Sequence, residues 1–302
     1  MINEINTALA DITARSIYAM TPYGFAYPSK GGDGGDDCLW LGILSSVGFP
    51  DAFDLLMQCQ AAPSERDAGM FYRNPVRRFN QQSGFSRDMA MGVMLGFACD
   101  HIGSSVKEPH ATRWINYIDK SRPCSVKKPK WAGGGCLIRS PIYRYAPDDR
   151  SDIPPAGWAL MGRVWDANGW KKNGEMRNAD GMDGDWSIQE ARVCSEGYQL
   201  HLHALEGYLK RIIKQSRAYA QEMADICHSR KPENLFYKIL AQDAVLDEDI
   251  VRFMDICSKW TEPKPTWIWE QSRISECIEN GDACGWDLVF MGRLILKYRG
   301  EL

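Results

Sequence analysis

The sequence lacks any apolar run long enough to cross a membrane. A membrane-spanning helix needs about 18–20 mostly apolar residues, whereas the longest candidate, from Met89 to Cys99, is shorter and contains two glycines. The first residues also lack the basic segment followed by an apolar segment that marks a secretory signal. We therefore expect no membrane partner and a protein made in the cytoplasm, with a virus particle (virion) as the alternative destination.

The sequence also has no excess of positive charge. Its 36 lysine and arginine residues are outnumbered by 39 aspartate and glutamate residues, and the net charge is −3. A protein that holds a nucleic-acid backbone needs a basic surface to neutralise the phosphates. This charge balance argues against a nucleic-acid partner.

Cysteine and histidine patterns typical of metal or redox sites are missing. None of the 10 cysteines forms a Cys-x-x-Cys pair, and most lie in apolar stretches, where a free thiol behaves as a small hydrophobic side chain. His201 and His203 are two residues apart, so on a helix they point about 200° apart and cannot share a metal ion. We therefore predict reduced thiols, no essential disulfide and no bound metal.

Motifs for nucleotide binding and for serine chemistry are missing as well. The glycine run that ends at Cys136 lacks the Lys-Ser/Thr ending of a phosphate-binding loop, and no Gly-x-Ser-x-Gly string occurs. The sequence therefore predicts no organic cofactor. Cys38 and Cys136 each follow a glycine-rich loop, and they are the candidate nucleophiles if the chain is a cysteine-dependent enzyme.

The sequence does contain a series of helical patterns. Leu, Met and Ala are common in stretches with helical spacing, while the alternation typical of strands is scarce. We predict an all-α fold in one domain, residues 1–302, with more than half of the residues in helices. The predicted helices span residues 4–20, 38–47, 52–61, 89–101, 108–119, 156–167, 187–227 (two helices or one kinked helix), 232–242, 247–258 and 282–298, and residues 21–35, 63–84, 121–155 and 168–186 are predicted loops.

Several long loops end in an acid directly before an apolar helix. The acids are Asp36, Asp37, Asp88, Asp185 and Asp287. An acid at a helix start is favoured by the exposed N–H groups and by the positive end of the helix dipole. The recurrence also fits an array of antiparallel helical hairpins with the functional loops on one side, although the sequence has no strict repeat period.

These helix entrances resemble those of the (α/α)-toroid, six-hairpin glycosidase-like family. The resemblance extends over roughly residues 30–300 and rests on four strings: Gly35-Asp36-Asp37-Cys38-Leu39-Trp40-Leu41-Gly42, Ser86-Arg87-Asp88-Met89-Ala90-Met91-Gly92, Trp267-Ile268-Trp269-Glu270 and Gly285-Trp286-Asp287. It implies helical hairpins wound into a complete or reduced ring. It also implies a polysaccharide cleft at the ends of the inner helices, with carboxylates acting as acid and base.

Three acids are the candidates for that catalysis. Asp37 and Asp88 form the favoured pair, because each precedes an apolar helix after a glycine-containing loop, and burial beside an aromatic ring would raise the pKa of one of them. Glu270 lies among tryptophans, as an acid in a sugar subsite would. The alternative for the two aspartates is simple helix capping. The alternative for Glu270 is a solvent-facing position beside structural tryptophans.

The predicted substrate-binding residues lie at the same helix entrances. They are Asp36, Trp40, Arg87, Trp186, Trp267, Trp269, Trp286 and Asp287. Two or three of the 11 tryptophans are expected to line a cleft, with the others in the core. Asp183 and Asp185 are a further candidate pair. Their loop resembles a calcium-binding loop but lacks the glutamate that closes an EF-hand.

The sequence leaves three functions open. The favoured one is a carbohydrate-active enzyme, a glycoside hydrolase or lyase, that binds an oligo- or polysaccharide. The second is a non-catalytic protein of the same helical fold, such as a phage virion component that binds a glycan or assembles as a homo-oligomer or particle; the third is the cysteine-dependent enzyme. The first requires that the loops ending at Asp37, Asp88 and Trp186 open into one cleft with residues 267–270.

Overall fold

The computed structural model describes residues 2–21, 24, 26–31, 36–76, 86–120, 155–178 and 185–302. Of these residues 64% are helical, and the two strands they contain are short. The prediction of a mainly helical protein is therefore confirmed for the described part of the chain. The predicted irregular segment 121–155 lies outside the described residues, apart from Pro155, which begins a helix.

The helices follow the predicted order, with several changed bounds. They are α1 Ile2–Arg15, α2 Asp37–Ser46, α3 Ala52–Gln58, α4 Arg87–Ala98, α5 Ser104–Lys120, α6 Pro155–Asn168, α7 Gly174–Asn178, α8 Asp185–Val193, α9 Tyr198–Ile212, α10 Arg217–Arg230, α11 Leu235–Gln242, α12 Asp247–Lys259, α13 Ile274–Glu279 and α14 Trp286–Tyr298. A 3₁₀ helix, Ile268–Glu270, precedes α13. Helix α7 lies in the segment 168–186 that was predicted to be a loop, and α13 and the 3₁₀ helix were not predicted.

A short hairpin follows α1 where the sequence predicted the end of a helix and a loop. Strand β1, Tyr18–Met20, pairs antiparallel with β2, Ala26–Pro28. The chain leaves the helix because the backbone N–H of Ile17 donates to the carbonyl oxygen of Cys284 at 3.3 Å instead of to the preceding turn. Ser29, directly after the hairpin, contacts Asp37 at the start of α2.

The long helical pattern 187–227 is divided into three helices rather than two. The first break falls at Gly197, where φ is +96° and a Cβ atom would lie 3.0 Å from the carbonyl oxygen of Glu270. A side chain is excluded there both by the left-handed backbone and by the close neighbour. The second break falls at Ser216, also in the left-handed region. The first break places the start of α9 directly against the 3₁₀ helix.

Helices α2 and α4 approach each other closely through two glycines. A Cβ atom at Gly42 would lie 1.9 Å from the carbonyl oxygen of Gly92, and a Cβ atom at Gly92 would lie 2.5 Å from the carbonyl oxygen of Cys38. Farther along, Ser45 Oγ lies 3.8 Å from Cys99 Sγ. The residue numbers of these contacts rise together along both helices, so α2 and α4 run in the same direction.

Helix α9 also runs in the direction of α2. At its start the Tyr198 hydroxyl donates a hydrogen bond to Asp88 at the start of α4. One turn later the His201 ring centre lies 6.4 Å from that of Trp40. Near its end the Tyr208 hydroxyl lies 3.4 Å from the hydroxyl of Ser46, the last residue of α2. Helices α2, α4 and α9 therefore begin at the same end of the molecule.

Helices α9 and α10, which are adjacent in sequence, pack together in opposite directions. Along α9 and α10, a Cβ atom at Gly207 would lie 3.2 Å from the side chain of Met223. Cys227, later in α10, contacts the carbonyl oxygen of Leu200, which comes earlier in α9. Since the residue numbers rise along one helix as they fall along the other, the two helices form an antiparallel hairpin.

The first helix packs on the last one, also antiparallel. Leu9 of α1 lies against Gly292 in the middle of α14, and Ser16, just after α1, lies against Gly285, just before α14. The two ends of the chain are therefore in contact through their helices.

One hydrophobic cluster extends from α1 to α14. Its largest fully buried side chains include the tryptophans Trp40, Trp114, Trp165, Trp267, Trp269 and Trp286. The cysteines that the structure describes are free thiols. No helix in the described part of the chain is long and apolar enough to span a membrane.

Candidate functional site

Polar side chains from several separate segments meet at the end of the molecule where α2, α4 and α9 begin. We call this group the helix-entrance site. Its members are Lys30, Asp36, Asp37, Arg73, Asp88, Tyr198, His201 and Glu270. The group includes the three acids predicted for catalysis, which are separated by up to 233 residues in the sequence (270 − 37 = 233).

Asp37 is the first residue of α2 and is fully buried. Its Oδ1 accepts a hydrogen bond of 2.9 Å from the Ser29 hydroxyl, while its Oδ2 has no partner among the described residues. Burial raises the pKa of Asp37 to about 7, although the hydrogen bond from Ser29 lowers it. The carboxyl group does not cap its own helix, so the capping alternative is wrong for this residue.

Glu270 ends the 3₁₀ helix and is 6% exposed, so it does not face solvent. Its Oε1 lies 2.5 Å from the Lys30 ammonium, and its Oε2 has no partner in the described structure. Burial raises the pKa of Glu270 to about 7, even though the neighbouring Lys30 lowers it. The charge of Asp36 also acts on Glu270, which links the 3₁₀ helix to the start of α2.

An aromatic layer lies beneath these acids. Trp40 stacks on Trp267 with ring centres 4.3 Å apart and an angle of 18° between the rings. His201 lies beside them, 5.6 Å from the ring of Phe236. Burial lowers the pKa of His201 to about 3, and the charge of Lys30 lowers it further. His201 is therefore a neutral imidazole at neutral pH.

Asp88 is the second residue of α4 and is held by side chains rather than by the helix backbone. It accepts hydrogen bonds from the hydroxyl groups of Ser86 and Tyr198. Ser86 occupies the N-cap position, but its side chain bonds Asp88 instead of a helix N–H group. Burial and the charge of Asp88 raise the pKa of Tyr198, so its hydroxyl remains protonated.

Asp36 and Arg73 form the partly exposed rim of the site. Arg73 Nη2 lies 3.4 Å from Asp36 Oδ1, and each side chain is 30% exposed. The Arg73 carbonyl oxygen accepts a 2.8 Å hydrogen bond from the backbone N–H of Cys38, which fixes this segment against the start of α2. The charge of Asp36 reaches Tyr198 as well.

Several buried polar atoms of the site and its aromatic layer have no hydrogen-bond partner among the described residues. They are Asp37 Oδ2, Trp40 Nε1, both ring nitrogens of His201, Trp267 Nε1 and Glu270 Oε2. An unsatisfied buried polar group costs about 1–3 kcal/mol, and such groups are rare in folded proteins. Their concentration around the Trp40 ring favours a functional role for this place over a purely structural one.

Five of the residues predicted to bind substrate lie in the core: Trp40, Trp267, Trp269, Trp286 and Asp287. In three of them the polar atoms are also bonded within the fold. Trp269 and Trp286 are buried, and their indole N–H groups donate to the carbonyl oxygens of Asp287 and Ile17. The Asp287 carboxylate accepts from the backbone N–H groups of residues 268, 285 and 288 and caps α14. A substrate cannot contact these side chains in this structure, contrary to the prediction, because their polar atoms are already used to join the chain segments.

Other predicted residues fall outside the helix-entrance site or outside the described structure. The helices α4 and α8 begin at Arg87 and Asp185, but the side chains of Arg87, Asp185 and Trp186 are not described, and Asp183 and Cys136 lie outside the described residues altogether. Cys38 is fully buried within α2, so its thiol is not open to a substrate. This burial disfavours Cys38 as a nucleophile.

Sequence reasoning missed Lys30 and Tyr198, and it considered His201 as a metal ligand, a role that it excluded. Tyr198 does carry a signal, since it follows a glycine and begins an apolar helix, as the aspartates do. Lys30 has no such signal, because its partner Glu270 is 240 residues away and the contact depends on the fold. His201 is buried, as a core histidine would be, but its nitrogens are not satisfied.

The arrangement suits proton transfer near neutral pH. A carboxyl group with a pKa close to the working pH can both hold and release a proton, and burial raises the pKa of both Asp37 and Glu270 to about 7. No group of three or more His, Cys, Asp or Glu side chains in the described ranges is arranged to hold a metal ion.

In comparisons with known proteins, no family model, no curated protein and no solved structure matches the chain.

Proposed function

We propose that the chain is a carbohydrate-active enzyme, a glycoside hydrolase or lyase, with Asp37 and Glu270 as its acid and base. The observation that carries this proposal is the pair of buried carboxyl groups. Burial raises the pKa of each to about 7, and each has one oxygen without a partner. Glycoside cleavage needs one protonated and one ionised carboxyl group at the same pH.

The mixture of unsatisfied groups supports a sugar as the ligand. The indole N–H groups of Trp40 and Trp267 can only donate, and the oxygens of the ionised carboxylates can only accept. A neutral hydroxyl group both donates and accepts, so a polyhydroxylated ligand can match both kinds of group, whereas an anion matches only the donors. Trp40 adds an aromatic ring, the surface on which the C–H face of a sugar stacks.

We further propose that the helices close into an (α/α) toroid. Three features support this arrangement: α2, α4 and α9 begin at the same end, neighbours in sequence such as α9 and α10 are antiparallel, and α1 packs on α14. In such a ring the entrances of the inner helices share one rim, which places an oligo- or polysaccharide cleft over the helix-entrance site.

Within this proposal Asp88 and Tyr198 hold the second side of the cleft. The Tyr198 hydroxyl remains protonated beside Asp88, so it is a donor to a substrate oxygen and not a resting base. Asp36 and Arg73, being partly exposed, contact substrate at the rim.

The test is turnover of a panel of neutral and acidic polysaccharides, followed by new reducing ends for hydrolysis and by ultraviolet absorbance of the unsaturated product for elimination. Asp37→Asn, Asp88→Asn and Glu270→Gln are each expected to lower turnover about a hundredfold or more, since they remove acid–base or transition-state contacts. Asp54→Asn is the matched control, because Asp54 is an exposed acid in the first turn of α3.

Full activity in Asp37→Asn and Glu270→Gln would contradict the proposal. Binding of an oligosaccharide by the wild-type protein without turnover would favour the alternative, a non-catalytic glycan-binding protein with the same fold. If the wild-type protein neither turns over nor binds any carbohydrate, both the enzyme proposal and the glycan-binding alternative are contradicted.

A further inference from the structure

The aromatic layer of the helix-entrance site is closed to solvent. Trp40 is 1% exposed and His201 is 0% exposed, so a substrate cannot reach their unsatisfied atoms without a rearrangement. Trp267 stacks on one face of the Trp40 ring. The ammonium group of Lys30 also lies over the Trp40 ring, 5.3 Å from its centre.

Lys30 is well suited to move. Its side chain is 24% exposed, and its ammonium holds Glu270 Oε1 at 2.5 Å. A lysine ammonium sits on a flexible four-carbon stem, so it can leave such a contact without any backbone change. When it leaves, it frees the Glu270 oxygen and the ring face of Trp40 together.

We propose that Lys30 is a positioning residue that the substrate displaces: it holds Glu270 over Trp40 in the free protein, and a sugar ring takes its place, stacked on Trp40 with a hydroxyl group bonded to Glu270. The proposal rests on the proposed function, because it takes Glu270 as the group that acts on a sugar. It adds that the covered face of Trp40 is a sugar subsite.

The exchange also changes the charge around Glu270. Burial raises the pKa of this carboxyl group to about 7, and the charge and hydrogen bond of Lys30 lower it. Replacing the ammonium by a neutral hydroxyl removes the lowering effect, so the pKa rises above 7 and Glu270 takes up a proton from water. The substrate thereby produces the protonated form that a general acid requires.

The other groups that face Glu270 act in the same direction or carry no charge. The charges of Asp36, at the start of α2, and Asp287, at the start of α14, raise the pKa of Glu270. His201 and Tyr198 on α9 are both neutral near pH 7, because the pKa of His201 is lowered and that of Tyr198 is raised. Lys30 is the cation that contacts Glu270 directly.

The first experiment titrates Glu270 in the free protein by carbon NMR of glutamate-labelled samples, with its signal assigned from Glu270→Gln. Lys30→Met is expected to raise the Glu270 midpoint by about one to three pH units, the usual effect of an adjacent opposite charge. Lys30→Arg keeps the charge and is expected to restore the wild-type midpoint. Lys238→Met is the matched control, because Lys238 is similarly buried but pairs with Glu248 at 2.6 Å and Asp249 at 2.8 Å rather than with Glu270.

An unchanged midpoint in Lys30→Met would overturn the positioning role. An equal shift in Lys30→Arg or in Lys238→Met would overturn it as well, since the effect would then follow from a general loosening of the fold. Lys30→Ala, which also removes the charge and is expected to raise the midpoint by a similar amount, replaces Lys30→Met if that variant is poorly folded.

The second experiment asks whether the place of Lys30 accepts another group. In Lys30→Ala, ethylammonium ion is the probe, because it matches the removed end of the side chain. It is expected to lower the Glu270 midpoint again in a saturable way, whereas sodium ion at the same concentration is not. Absence of this rescue would overturn the proposed exchange.

Both experiments are made without a sugar. A failure there counts against the role of Lys30 and leaves the proposed function standing. Failure of every polysaccharide in the turnover assay counts against the proposed function instead.

Discussion

Asp37 and Asp287 are both fully buried aspartates at helix starts, yet their surroundings differ sharply. Asp287 accepts three backbone N–H groups, from residues 268, 285 and 288, at 2.8–3.0 Å. Asp37 is hydrogen-bonded to the side chains of Ser29 and Tyr27 and to the backbone of Lys30, and its Oδ2 has no partner in the described structure. The two buried aspartates therefore differ in the kind of donor that holds them, which is mainly backbone for Asp287 and mainly side chain for Asp37.

The pKa values follow the same contrast. Burial raises the pKa of both carboxyl groups, but the backbone donors hold that of Asp287 to about 6, while that of Asp37 reaches about 7. Hydrogen bonds to the charged form offset part of the desolvation. Asp287 joins the 3₁₀ helix to α14, and Asp37 keeps one oxygen available.

The largest expected difference between the two acids is in stability. Asp287→Ala leaves three buried N–H groups without an acceptor, so we expect the free energy of unfolding to fall by about 3 kcal/mol or more. Asp37→Ala is expected to cost less, because two of its donors are the hydroxyl groups of Ser29 and Tyr27, which can rotate towards other acceptors, and one is the backbone of Lys30. Urea unfolding at neutral pH measures both values, and equal losses would erase the distinction between a structural and a functional acid.

The pH dependence of stability provides a second separation. The folded pKa values of Asp37 and Glu270, about 7, lie above the ordinary carboxyl value of about 4. Between these values the two carboxyl groups bind more protons in the folded state than in the unfolded state, so their contribution to stability is largest near pH 4 and falls as the pH rises to about 7. Buried histidines with lowered pKa values, such as His201 and His110, contribute in the opposite direction. The slope is up to about 1.4 kcal/mol per pH unit for each group.

Asp37→Asn is expected to flatten this fall, and Asp54→Asn, at an exposed position, is expected to leave it unchanged. Chemical unfolding at a series of pH values measures the slope. A slope untouched by Asp37→Asn would show that Asp37 is not the buried, poorly solvated acid described above.

A smaller effect is expected when a buried neutral side chain is replaced. His201→Leu removes two ring nitrogens without partners, so we expect the protein to gain about 1 kcal/mol of stability. Asn234 is the matched control. It is buried, but it accepts from Phe236 N and donates to Trp269 O, so Asn234→Leu is expected to cost about 2 kcal/mol. Thermal and urea unfolding decide the sign, and a loss of stability in His201→Leu would contradict the comparison.

Much of the fold and part of the site could be predicted from the local sequence. Helical spacing predicted most of the helices, and an acid after a glycine-containing loop correctly indicated that Asp37 and Asp88 stand at helix starts. The same pattern describes Asp287, which is a cap. A local pattern cannot separate these cases, because the partners that decide between them, Ser29, Tyr198 and the backbone near residue 268, come from other segments.

The tryptophans show the same limit. Trp267 and Trp269 are two residues apart and both fully buried, but one stacks on Trp40 with an unsatisfied N–H group, and the other donates to a core carbonyl oxygen. Composition predicted that some tryptophans would line a cleft. Which ones lie beside the site depends on contacts more than 200 residues apart (267 − 40 = 227).

The contact between Gly42 and Gly92 determines how far apart α2 and α4 lie. The backbones of α2 and α4 are in contact at Gly42 and Gly92, with no side chain between them. The distance between the two helices, and with it the distance between Asp37 and Asp88 at their starts, therefore depends on glycine at both positions. An alanine at either position would act as a spacer. It would widen the gap between the two acids while leaving both acids and all their chemistry in the chain.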